Sequence, residues 1–95
     1  MNFQIAPKET ETRLNWDDAH LYCFALNVDG KTGWRLPTEE ELYEIYESIN
    51  DFENYWYWSS TFYDDNRAWS KGFNGGTADF FSKNYSFYCR AIREL

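Results

Sequence analysis

The sequence predicts a small α+β domain in which two helices precede an antiparallel sheet. Three observations carry this. Two segments repeat apolar residues at three- and four-residue steps behind an N-cap side chain. After Asp51 the pattern changes to short aromatic runs parted by polar turns. Finally, the 95 residues include five Trp, eight Tyr and eight Phe. Such large apolar side chains allow a core in a chain with room for one domain, residues 1–95.

Taken in order, Phe3-Gln4-Ile5 is a short first strand. Asn15 caps the first helix, with Asp17 and Asp18 near the positive end of its dipole. Ala19, Tyr22, Cys23 and Leu26 form its apolar face, joined by Trp16, and Asp29-Gly30 stops it. The second helix has the stronger signal. Pro37 precedes Thr38-Glu39-Glu40-Glu41, a capping box in which Thr38 caps and Glu41 reaches back. Leu42, Ile45, Tyr46 and Ile49 then make one buried stripe, with Glu40, Glu44 and Glu47 facing outward.

Strands follow over 56–61 and 68–73, separated by the polar loop Tyr63-Asp64-Asp65-Asn66. Asn74-Gly75-Gly76 turns the chain into 77–81, and Ser82-Lys83-Asn84 turns it again into a terminal strand over 87–93.

Charge is unevenly placed. The net −7 makes nucleic acid and anionic membranes unfavourable partners. Between Leu36 and Asn66 the chain carries −9 and no Lys or Arg, while the other 64 residues sum to +2. Either the acidic run is a solvated face that keeps an aromatic-rich domain dispersed, or Glu40, Glu44, Glu47 and Asp51 present an acidic face to a basic site on a partner. No run approaches the roughly 20 apolar residues that cross a bilayer. The first residues lack a basic stretch followed by an apolar one, so a cytoplasm, or a phage particle in its host, is the expected location.

Cys23 and Cys89 lie 66 positions apart. In a reducing compartment they are buried free thiols; a disulfide, the alternative, would close a long loop worth about 4 kcal/mol. No cysteine–histidine spacing fits a metal, no phosphate loop or serine elbow occurs, and His20 is the lone histidine, so neither catalysis, metal nor cofactor is expected. The residues suited to recognition are Tyr63, Asp64, Asp65, Asn66, Arg67 and Lys71, with Phe80, Phe81, Lys83, Asn84 and Tyr85. Aromatic rings supply rigid contact area there, and short polar groups supply hydrogen bonds to a protein or glycan ligand. Trp16, Trp34, Trp58, Trp69 and Tyr46 are assigned to the core.

The order of Asn15-Trp16-Asp17-Asp18-Ala19, Cys23, the run from Gly33-Trp34-Arg35-Leu36-Pro37-Thr38 to Leu42, Tyr57-Trp58-Ser59-Ser60-Thr61, Ala68-Trp69 with Phe73, and Arg90-Ala91-Ile92-Arg93 resembles a family. It is the bacterial and phage family named for the C-terminal domain of the Legionella collagen-like protein, matched over roughly 15–93. The resemblance implies a C-type-lectin-like fold, two helices on a twisted antiparallel sheet whose first and last strands pair, and a non-enzymatic role in ligand or protein binding. Two departures stand out. Family members often place a cysteine where this chain has Ala91, two residues after Cys89. They also favour an apolar residue at Lys71, which must therefore snorkel or mark a face that is not fully buried.

Overall fold

The computed structural model describes residues 2–48 and 51–95. Its elements are β1 (Phe3–Ile5), a 3-10 turn (Lys8–Thr10), β2 (Thr12–Leu14), α1 (Trp16–Ala25), α2 (Glu39–Ser48), β3 (Trp56–Phe62), β4 (Arg67–Gly72), β5 (Ala78–Ser82), β6 (Phe87–Cys89) and β7 (Ile92–Glu94). The α+β class is as the sequence predicts.

Both helices begin where their caps dictate. The Asn15 side chain accepts from the Asp18 N–H at 2.9 Å. Thr38 Oγ1 accepts from the Glu41 N–H at 3.2 Å, and Glu41 Oε1 accepts from the Thr38 N–H at 2.8 Å, so the capping box is complete. Glu41 also takes a two-pronged bond from Arg35, 2.8 Å on each arm, which ties the Gly-Trp-Arg-Leu-Pro-Thr segment to the helix. Leu42 and Ile45 are buried as the stripe requires; Ile49, its last member, lies outside the described residues.

The sheet is mixed, which corrects the antiparallel expectation. Five strands run in the order β2-β6-β3-β4-β5, and β6 lies parallel to β3 at Tyr57↔Tyr88. The expected terminal strand is also two strands. β6 serves the large sheet, while β7 pairs antiparallel with β1 in a small sheet of its own, Phe3↔Glu94 to Ile5↔Ile92. Arg90 marks the break. It is only 4% exposed, donates from Nε to the Ala6 carbonyl at 3.0 Å and grips both carboxylate oxygens of Asp51. β2 has no signal in the sequence: its Thr-Arg-Leu has no apolar period and is ordered by pairing with β6.

Adjacent residues on β3 show where the core sits. Tyr57 packs with Leu42, Ile45, Phe52, Phe73 and Ile92 on the α2 side. Trp58 packs with Ala19, Cys23, Trp34, Leu36, Ala68 and Cys89 on the α1 side. The sheet therefore separates two apolar layers, one per helix, as strand alternation requires. Trp58 and Trp34 are fully buried, and their indole N–H groups donate to Leu14 and Lys31 carbonyls at 3.0 and 2.9 Å.

Candidate functional site

The register of β4 with β5 decides which of the candidate residues meet. Trp69 faces Phe80 across the ladder and Lys71 faces Ala78, so these four side chains share the sheet face on which α2 packs. The helix covers only the Lys71 end, where Tyr43 and Tyr46 each lie 5.1 Å from the ammonium. Beyond it, the Trp69 and Phe80 rings continue onto the surface.

The loop after β3 completes the cluster. Its turn closes through the Tyr63 N–H to the Arg67 carbonyl at 2.8 Å. This lays Tyr63 on Phe80 with ring centroids 4.1 Å apart and planes 2° apart. Trp69 meets Phe80 edge-on at 5.3 Å and Tyr63 at 6.0 Å. The Arg67 guanidinium lies 4.8 Å from Tyr63 and 5.2 Å from Phe80. Asp64 holds it there by accepting from Arg67 Nε at 2.9 Å and also from Nη2, and the arginine in turn holds the Asp64 carboxyl below its usual range. Tyr63 remains 47% exposed, so its ring is open to a ligand while it stacks on Phe80.

The other predicted site residues divide. Lys71 is 3% exposed and donates to the Gly76 carbonyl at 2.7 Å, so its ammonium is committed beneath the surface. Of the two readings of Lys71, the face is buried here and the side chain folds inward. Burial lowers its pKa from the usual lysine value. Phe81 points to the opposite face and packs on Trp56 at 4.9 Å and Phe87 at 5.0 Å, with exposed Tyr85 at 5.9 Å. Lys83 lies 4.3 Å from the Trp16 ring and donates to the Asp65 carbonyl at 3.0 Å. Asp65, Asn66 and Asn84 are exposed loop positions. Trp69, assigned to the core by its strand position, is half-buried and outside both buried clusters, packing instead with Tyr63 and Phe80.

The acidic residues also divide. Glu40, Glu44 and Glu47 are exposed along α2, and the Glu47 carboxylate beside it raises the pKa of the Tyr43 hydroxyl. Asp51 is committed to Arg90, whose guanidinium holds the carboxyl below its usual range, so it belongs to a structural ion pair. At the start of the helix, Glu39, Glu40 and Tyr43 with Lys71 and Ala78 line a groove of about 340 Å³. Sequence reasoning singled out neither Glu39 nor Tyr43 for this role. A cleft of about 450 Å³ lies between β1, Val28–Lys31 and Arg90, but its Arg90 is bound to Asp51 and its Lys8 is shared by Glu11 and Glu53.

His20 and Cys23 do not form a nucleophile–base pair. Its neighbour Cys89 and burial push the pKa of the Cys23 thiol far up. His20 packs edge-on against Trp16 at 4.2 Å, and desolvation lowers its pKa. Both cysteines are free and buried. Among the described residues no three His, Cys, Asp or Glu side chains gather as metal ligands, and no helix is long and apolar enough to cross a membrane.

Comparison with curated proteins finds no significant match. The family model described as the Lcl C-terminal domain matches residues 4–93, which extends the likeness through β2 into the β1 strand. By this match over nearly its whole length, the chain belongs to the Lcl C-terminal domain family.

Proposed function

We propose that this domain is a non-enzymatic binding module, of bacterial or phage origin, that captures a protein or glycan through the Tyr63, Arg67, Trp69 and Phe80 surface. The observation that carries the reading is the Tyr63–Phe80 stack, two parallel rings 4.1 Å apart at the surface with Trp69 set against both. A partly exposed aromatic array held by its own contacts loses little conformational entropy on binding, which is how such surfaces gain affinity. Pairing of β1 with β7 supports a C-type-lectin-like reading of the fold, a scaffold on which loops can vary over a closed base. Family membership is compatible with this role but does not assign it.

Immobilised glycans and synthetic peptides, arrayed as a panel, test the proposal. The expected result is a ligand retained by the unaltered protein and lost by a Tyr63→Ser/Phe80→Ser variant of unchanged secondary structure. Undiminished capture of every bound ligand by that variant would reject this surface.

A further inference from the structure

The aromatic cluster and the groove at the head of α2 are neighbours on one sheet face. Trp69 and Lys71 are alternate residues of β4, and Phe80 and Ala78 are alternate residues of β5, so the groove begins about 7 Å along the strands from the cluster. The two regions differ in character. Rings dominate the cluster, whose cation Arg67 is already bound to Asp64. The groove adds the carboxylates of Glu39 and Glu40 beside the Tyr43 ring, which is 56% exposed. Its own cation is turned away from solvent, because Lys71 is 3% exposed and bonded to the Gly76 carbonyl. What the groove offers a visitor is therefore negative charge above an aromatic and aliphatic floor.

We propose that groove and cluster form one elongated site for a basic peptide segment, with a lysine or arginine between Glu39 and Glu40 against Tyr43, and an apolar side chain of the same segment on Trp69 and Phe80. This rests on the aromatic surface being the binding face and adds the chemistry of the partner. Charge complementarity selects the occupant. Three of the residues that line the groove, Glu39, Glu40 and Tyr43, belong to the part of the chain that carries −9; there a cation gains from the exposed Glu40 carboxylate, from Glu39, whose charge the buried Lys71 only partly offsets, and from the exposed side of the Tyr43 ring. An acidic segment would meet repulsion at the same place, and a neutral one would use the rings alone.

Three synthetic peptides of one length test this, each with the same phenylalanine content and with lysine, serine or glutamate at the remaining positions. Binding is followed by NMR shifts of the Trp69 indole, Tyr43 and Ala78. The lysine peptide should shift all three and weaken steeply with added salt. Glu39→Gln with Glu40→Gln should weaken it roughly three- to tenfold, as expected for losing two partly exposed ion pairs. If the serine peptide binds equally well and is lost only with Tyr63→Ser/Phe80→Ser, the basic-segment inference fails while the aromatic face stands. If the lysine peptide shifts Tyr43 yet survives that aromatic double variant, the aromatic face itself is rejected.

Discussion

Lys71 and Gly76 are joined by a 2.7 Å hydrogen bond from the ammonium to the backbone carbonyl, beneath the rings of Tyr43 and Tyr46. The contact explains how a lysine stands between Trp69 and Phe73 on a buried face. Its charge is met by one carbonyl, two ring faces and the nearby carboxylates of Glu39 and Glu47, and its aliphatic stem fills the space below α2.

Gly76 has a conformational reason to be glycine and a steric one. Its φ is 76°, and an added Cβ would lie 2.7 Å from the Tyr46 ring. Gly75 has φ 102° but no atom within 4 Å of such a Cβ. Gly75→Ala should therefore cost only backbone strain, about 1–3 kcal/mol. Gly76→Ala should cost more, because Tyr46 must also move. Chemical denaturation of the two variants measures the difference, and equal losses would show that Tyr46 yields freely.

Adjacent Phe80 and Phe81 should respond differently to truncation. Phe80→Ala removes a stack on the exposed Tyr63 ring, worth about 1 kcal/mol. Phe81→Ala opens space beside Trp56 and Phe87 and should cost about 2–4 kcal/mol. Thermal melts of both variants check which ring packs against the buried layer, and reversed losses would show that it is Phe80 rather than Phe81.

Acid stability should depend on two ion pairs. Arg35, through its hydrogen bonds, holds Glu41 below its usual range, and Arg90 does the same for Asp51. In each case the unfolded chain binds a proton more readily than the folded one. Their contribution is thus complete above the unfolded carboxylate values near 4 and is lost as pH falls through the lower folded ones. Glu41→Gln or Asp51→Asn should lower stability at neutral pH and flatten its decline below about pH 4. Denaturation at stepped pH values reads this directly; an unchanged slope in both variants would remove these pairs from the acid transition.

How much of this was legible in sequence follows from distance along the chain. Thr38 and Glu41 are three residues apart, so the capping box could be read and is present. Strand alternation correctly puts Trp69 and Lys71 on one face. It does not say how far α2 reaches over that face, and so Trp69 was assigned to the core. The split of the terminal strand depends on Arg90 meeting Ala6 and Asp51, far away in sequence, and no local pattern encodes it. Phe80 and Phe81 could be seen to diverge, but only the β4–β5 register shows that Phe80 joins Tyr63.

The two cysteines should be inert in the folded protein. Both are fully buried, and the neighbouring Cys89 together with desolvation drives the pKa of the free Cys23 thiol upward. Thiolate, the reactive form, is therefore scarce at Cys23 near neutral pH, and a reagent must in any case wait for the core to open. Under reducing conditions, modification of both thiols by an alkylating reagent should be slow in buffer and fast in denaturant. Trp58→Ala, which empties a site in the same apolar layer at a cost of about 3–5 kcal/mol, should accelerate it by raising the open population. Rapid labelling of the unaltered folded protein would show that this layer opens more readily than its burial implies.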